Sequence, residues 1–226
     1  MLLAIQSRLS SLRLPQKALA DIGGIPLLGH CIRQCLSSNA KQVVIATSTL
    51  DSDQKIVDLG KEFGVPVFRG PIDDVLARLY MLAFKCQVNH LIRVSGDSPF
   101  IDPKLINRAI ALANTTNVDL VTNVLNRTFP KGQSVEVISF RLLESLMYLK
   151  LTNFDREHVT SHVYENPEMY QIKTFESGLE FGSVQLSVDT HEDLLCARRL
   201  MNHCRGQIGS WLEMTYIWQS FNDQNE

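Results

Sequence analysis

Long hydrophobic runs are missing from this chain, and so is any surplus of basic residues. No stretch approaches the ~20 apolar residues that cross a bilayer, and the formal net charge is -2. That balance speaks against a nucleic-acid binder or a membrane-surface protein, whose footprint is a basic surplus. Cysteine is sparse, five in all, with no C-x-x-C pair. Cys31 and Cys35 stand four apart on one predicted helix face, and buried free thiols account for the set better than zinc or a disulfide framework. The opening MLLAIQSR has no basic segment ahead of an apolar run and is too short for a signal peptide, so a cytoplasmic protein is expected. Also absent are the phosphate-loop pattern G-x-x-x-x-G-K-[ST] and the zinc pattern H-E-x-x-H.

What is there is an α/β pattern. The 226 residues, 45% of them hydrophobic and 20% charged, can fill the core of one domain. Apolar runs at 2–6, 42–48, 65–68, 90–95 and 118–123 read as strands. Between them, apolar residues at 3.6-residue spacing predict helices over 26–38, 52–63, 73–87 and 103–115. Asp51 or Ser52, Asp73 and Asp102-Pro103 are start signals. This alternation predicts βαβ units and a mainly parallel sheet covered on both faces. After residue 125 the rhythm changes. SVEVISF (134–140) reads as a strand, RLLESLMYL (141–149) as a helix, and NFDREHVTSHVYENP (153–167) as one further helix. MYQIKTFES (169–177) and SVQLSVD (183–189) read as strands before a last long helix, opened by a Thr190–Asp193 capping box. The tail SFNDQNE is expected to fray. The organisation is one domain over 1–226 with a strand-and-helix insertion over 125–180.

Chemistry concentrates in three segments. The stretch IQSRLSSLRLPQKAL (5–19) carries Arg8, Arg13 and Lys17 and no acid. Pro15 disfavours a helix there, so the segment is expected to fold as a loop over the carboxyl end of the first strand. Ligands of parallel α/β sheets bind at those ends. Guanidinium forks, an ammonium point charge, Ser10, Ser11 and loop N–H groups suit a triphosphate; on composition alone a solvated basic loop is the simpler account. In LIRVSGDSPFIDP (91–103), Gly96 permits a tight turn and Asp97 stands at a strand end with no capping duty, whereas Asp102 reads as the next helix's cap. In LSVDTHEDL (186–194), Asp189 is similarly free. Asp97 and Asp189 could converge on one Mg²⁺, or be two unrelated turn acids.

Other acids read as structural. Asp51-x-Asp53 has the form of a D-x-D sugar-nucleotide motif but opens a helix, where capping is the simpler account; Asp73-Asp74 likewise suits a helix start. Arg156, Glu157 and His158 either line a polar pocket or form a charged helix face, and spacing does not choose between them. Gly23-Gly24 marks a tight turn ahead of a helix start at Pro26.

Taken in order, IQSRLSSLRLPQKAL, IGGIPLL, VVIATS, FRGPIDDVLARL, IRVSGDSPFIDP, FPKGQSVEVIS, DREHVTSHVYENP and LSVDTHEDL resemble the spore coat polysaccharide biosynthesis protein F family. That family is grouped with the cytidylyltransferases that make CMP-activated acidic sugars. The resemblance runs from about residue 2 to residue 200 and is most specific in R-x-x-S-x-R-L-P-x-K and R-E-H-V-T. It implies a three-layer αβα sandwich with a mixed, mainly parallel sheet, the nucleotide-diphospho-sugar transferase (GT-A-like) fold. It implies CTP and a sugar or sugar acid as substrates, Mg²⁺ held by Asp97 and Asp189, and Arg8, Arg13 and Lys17 on the triphosphate beside Ser10 and Ser11. Ala46, Thr47, Arg69 and Gly70 would lie near the nucleotide. The region 126–158, with Arg127, Glu136, Arg156, Glu157 and His158, would face the sugar. It further implies a homodimer, with 125–180 as lid or interface, and no nucleic-acid or membrane partner. Two positions depart from the family pattern: Gln16 stands where Gly is usual, and Ser134 where Asp is common. A GT-A-type glycosyltransferase and a non-catalytic nucleotide- or sugar-binding subunit are the rival readings.

Overall fold

Alternate residues of the first strand enter two different cores, and this sets the layering. The computed structural model describes residues 1–11 and 13–222. In β1 (Leu2–Gln6), Leu3 and Ile5 pack on one face of the sheet while Leu2 and Ala4 pack on the other, as the two-residue period of a strand requires. Both faces being covered, β1 reads as a continuous apolar run.

Along the chain follow a small hairpin of β2 (Asp21–Ile22) and β3 (Ile25–Pro26), α1 (Leu27–Leu36), β4 (Gln42–Ser48), α2 (Gln54–Glu62), β5 (Val67–Gly70), α3 (Val75–Lys85), β6 (His90–Ser95) and α4 (Pro103–Thr115). Then come β7 (Leu120–Thr122), β8 (Glu136–Ser139), α5 (Phe140–Tyr148), α6 (Asn153–His158), α7 (Ser161–Glu165), β9 (Ile172–Thr174), α8 (His191–His203) and α9 (Trp211–Asn222). Seven strands form one sheet in the order β5-β4-β1-β6-β8-β7-β9. Strands β5, β4, β1 and β6 are mutually parallel, and β8 runs antiparallel to both of its neighbours. Helices α1, α2 and α4 cover one face and α3 and α5 the other. A third cluster joins α8 and α9 to the β2–β3 hairpin and the start of α1. The fold is the expected αβα sandwich with a mixed, mostly parallel sheet.

Three expectations are corrected. Segment 183–189 forms no strand but a single parallel bridge, Gln185 to Lys131. It is held extended by backbone bonds from Lys131 to Val184, from Leu186 to Lys131 and from Val188 to Asp97, each 2.9 Å. The helix expected over 153–167 is two, because Val159 turns to φ 64° and Asp155 accepts from both the Thr152 and Ser161 hydroxyls. Ser220–Asn222 of the expected frayed tail close α9, and 223–226 lie outside the described residues. The signal for α9 stands in the sequence as Ser210-x-x-Glu213, whose two side chains bond each other's backbone N–H groups.

Gly132 fixes the height of the 183–189 segment, and with it Asp189. Its φ is +93°, and a Cβ there would stand 2.6 Å from Ser187 N and 2.8 Å from Leu186 C. Both objections are to backbone, which cannot swing aside. Gly132→Ala is expected to destabilise the protein by roughly 2–4 kcal/mol in urea unfolding; a change under about 0.5 kcal/mol would show that the segment shifts freely.

Candidate functional site

The loop after β1 is shaped by what receives its backbone groups. Ser7 N continues the sheet, donating to Ala46 O at 3.2 Å. Leu9 then turns inward, buried, with its N–H donating to Asp53 Oδ1 at 2.9 Å and its carbonyl accepting from Ser11 N and Gln16 N. Asp53 is fully enclosed, and its second oxygen accepts from Thr47 Oγ1 (2.9 Å), Ser48 N (3.1 Å) and Ser48 Oγ. It makes no capping bond to α2. The capping account of Asp53 is thus wrong: the carboxylate ties the first loop to the end of β4.

Pro15 and Gln16 then reverse the chain. Gln16 sits in the left-handed region at φ 56°, ψ 24°, where a glycine incurs no Cβ penalty. This supplies a conformational reason for the family's glycine at that position. Lys17 opens the short 3₁₀ turn that follows, and its Nζ meets Asp97 Oδ2 at 3.0 Å, Asp189 Oδ1 at 2.9 Å and the Val188 carbonyl at 2.9 Å. Arg13 reaches the same Asp189 oxygen at 3.0 Å from a more exposed position. Asp97 hangs from the end of β6, where Gly96 N donates to Gln6 O at 2.8 Å. A Cβ at Gly96 would stand 2.8 Å from Ser7 Cβ and 3.0 Å from Gln6 O, so only glycine lets β6 pass this close to the loop.

Between loop and strand ends lies an open cleft of about 360 Å³, and Arg8, Arg13, Lys17, Asp97, Glu157 and Asp189 all line it. Burial alone would lower the Lys17 ammonium, but Asp97 and Asp189 together hold it above the ordinary lysine value. Two carboxylate oxygens that converge on one cation are a fitting donor set for Mg²⁺, which takes one or two carboxylates and completes its shell with phosphates and water. Among the described residues no group of three or more His, Cys, Asp or Glu side chains does so.

Of the other expected site residues, Ser10 and Ser11 line the cleft. Ala46 and Thr47 are enclosed in β4 behind it, Thr47 serving Asp53. Arg69 donates to the Ser48 and Leu50 carbonyls and to Gln54, bracing the β4 end; Gly70 closes β5. On the sugar side, Glu157 pairs with Arg8, while Arg156 turns to Asp74 at 2.7 Å. His158 is exposed, its ring 4.2 Å from that of Phe154. Glu136 is buried, 2.6 Å from Arg93 Nη1, and accepts from Thr160 Oγ1 and Tyr164 OH. Burial and this carboxylate push the Tyr164 hydroxyl well above its usual value. Arg127 donates to Ser134 Oγ at 3.2 Å, and burial lowers its guanidinium. Arg93 was legible as a charge inside an apolar strand run: it links Gln6, Glu136 and the His158 carbonyl.

Comparison with known proteins identifies the family. Residues 2–203 match the family model described as cytidylyltransferase. The chain is 32% identical over 200 residues to the spore coat polysaccharide biosynthesis protein SpsF of Bacillus subtilis, covering 85% of this chain and 82% of that one. A cytidylyltransferase structure from Leptospira borgpetersenii superposes at TM-score 0.93, with 27% identity, over 98% of this chain and 94% of its own. A structure of CMP:2-keto-3-deoxy-manno-octonic acid synthetase complexed with CTP superposes at TM-score 0.70 and 18% identity over 89% and 98%, which is a likeness of fold.

Two outcomes follow from the loop's anchors. Asp53→Ala strands four donors, so it is expected to cost about 2–4 kcal/mol in urea unfolding and to speed exchange of the Leu9 amide; a loss near 1 kcal/mol with Leu9 protection intact would fit a mere helix cap. For Lys17 the sign is set by its raised value: the contribution is complete below the unfolded lysine value of about 10.4 and fades as pH rises through the higher folded one. The melting-temperature gap between wild type and Lys17→Met should therefore be constant from about pH 6 to 9 and close only above about pH 10. A gap that closes by pH 8 would contradict it.

Proposed function

This chain belongs to the cytidylyltransferase family, and from that premise we propose that it transfers CMP from CTP to a hydroxyl of a sugar or sugar acid used for surface polysaccharide. The observation that carries the reading is the Lys17 ammonium held by Asp97 and Asp189 in the lining of the cleft. It brings the basic loop, the acid at the end of β6 and the acid before α8, 172 residues apart in the extreme, into one site.

In the reaction, the acceptor hydroxyl gives up its proton to water, its oxygen forms a bond to the α-phosphorus of CTP, the bond from that phosphorus to the bridging oxygen breaks, and pyrophosphate leaves. No protein nucleophile is required. Catalysis rests on positioning and on charge placed in advance where charge develops. Arg8, Arg13 and Lys17 approach from the loop side and receive the triphosphate, with Ser10 and Ser11 as hydroxyl donors. Asp97 and Asp189 would hold Mg²⁺, which when bound neutralises phosphate oxygens and orients them. Glu157, from α6, lines the cleft and pairs with Arg8. The pairing of Asp53 with the loop speaks against the glycosyltransferase reading, because the second acid of Asp51-x-Asp53 is enclosed and engaged by Leu9, Thr47 and Ser48.

Pyrophosphate release, assayed with each of the four NTPs, Mg²⁺ and a panel of sugar acids and phosphosugars, is expected with CTP and one acceptor. Asp97→Asn should lower that turnover by at least about 100-fold without altering the melting temperature by more than a few degrees. Binding of nucleotide with no release across the panel would favour a non-catalytic subunit, and full Mg²⁺-dependent activity in Asp97→Asn would remove the metal assignment.

A further inference from the structure

Arg78, on α3, is the largest fully enclosed side chain among the described residues, with 1% exposure. Its Nε donates to the Pro71 carbonyl at 3.0 Å, and its Nη2 donates to Pro71 at 2.6 Å and Ile72 at 3.0 Å. No ion pair among the described residues includes it. The Asp53, Asp73 and Asp74 carboxylates act on it only from beyond ion-pair reach, and a buried cation without a contacting counter-charge is costly and uncommon. The cost is compounded by a second guanidinium: Arg8 Nη1 donates to the same Ile72 carbonyl at 3.5 Å. Burial first, and then the Arg8 charge, lower the Arg78 guanidinium from its usual value.

The local packing is built to admit this arginine. A Cβ at Gly70 would stand 2.8 Å from Arg78 Cγ, so the glycine leaves the room that the arginine fills. The Nη1 group has no partner among the described residues, although none of their enclosed side-chain nitrogens or oxygens lacks one. That edge therefore opens on the cleft, which Arg78 lines beside Arg8. The acids of the cleft are already engaged: Asp97 and Asp189 by Lys17, Glu157 by Arg8. What remains is one fixed, desolvated fork next to a second fork whose partner sits on the rim.

We propose that Arg8 and Arg78 form a two-guanidinium seat for the terminal phosphoryl groups of the nucleotide, and so for the pyrophosphate that leaves. The assignment rests on the reading of the cleft as a nucleotidyl-transfer site. Planar guanidinium forks match phosphate oxygens, and two of them facing one volume repel until an anion lies between them. Glu157 holds Arg8 until the phosphates replace it. Arg78, with nothing to release, is the preorganised half of the seat.

The test is calorimetric titration of the whole chain with inorganic pyrophosphate and, separately, with CMP, both with Mg²⁺, in wild type, Arg78→Met and Arg78→Lys. In Arg78→Met the pyrophosphate Kd should rise at least about tenfold while the CMP Kd stays within about twofold. Arg78→Lys keeps a point charge but loses the fork, and should weaken pyrophosphate by about threefold or more. Unchanged pyrophosphate affinity in a folded variant overturns the proposal. Equal losses for pyrophosphate and CMP also overturn it, since they would mark Arg78 as a prop for the 71–72 carbonyls. If Arg78→Met does not fold, Arg78→Lys alone decides on the same threshold. Because no turnover is needed, the two readings fail separately. A chain inactive with CTP whose pyrophosphate binding still depends on Arg78 keeps the seat and loses the transfer reaction. An active chain whose Arg78→Met variant binds pyrophosphate normally loses only the seat.

Discussion

A single ammonium group organises the cleft. Lys17 comes from the loop after β1, Asp97 from the end of β6 and Asp189 from the segment before α8, and their charged atoms meet within 3.0 Å. Each partner is placed by a different constraint. Asp53 ties down the loop, Gly96 lets β6 approach it, and Gly132 sets the height of the strap bearing Asp189. Without the ammonium, two carboxylates would face one another at partial burial, a like-charge pair that resists ionisation. The rest of the site is arranged around that bridge.

The cleft is nearly self-neutralised as it stands. Lys17 and Arg13 answer Asp97 and Asp189, and Glu157 answers Arg8. Such pairs keep charged side chains ordered in a half-buried site at little net gain in stability, because desolvation offsets much of the attraction. On the proposed reading their value is in preorganisation: a polyanion and a divalent cation would exchange for internal partners already in place. Among the described residues Arg78 is in no ion pair that a ligand would have to displace, and its fork is held by two carbonyls.

Much of this was legible in the sequence, and the exceptions have physical causes. The sandwich followed from alternating periods, since strands buried on both faces and one-sided helices leave distinct apolar patterns. The basic loop and the two acids stood out because charge beside a buried extended run has no core role and neither acid is needed as a helix cap. Asp53 was misread because D-x-D at a helix start looks like a cap, and nothing local shows that its oxygens turn toward Leu9, 44 residues away. Arg78 was hidden inside DVLARL, an ordinary amphipathic helix pattern in which an arginine is expected to face water. The strand expected at 183–189 failed for a similar reason: alternation marks an extended segment, but a ladder needs a neighbour, and only Lys131 is offered. Of the residues expected to face a sugar, Glu157 alone lines the cleft; Glu136 and Arg93 form a buried pair behind it, and Arg156 secures α6 to Asp74.

The claim at the centre of this account is that the loop over 7–17 wraps a nucleoside triphosphate whose phosphates replace the cleft's internal ion pairs. A crystal structure with a non-hydrolysable CTP analogue and Mg²⁺ tests it most directly. The account predicts the triphosphate inside the loop, phosphate oxygens within hydrogen-bond reach of Arg8 and Lys17, and the metal on Asp97 and Asp189. A nucleotide bound elsewhere, with Lys17 still clasping both acids and Arg8 still on Glu157, would contradict it.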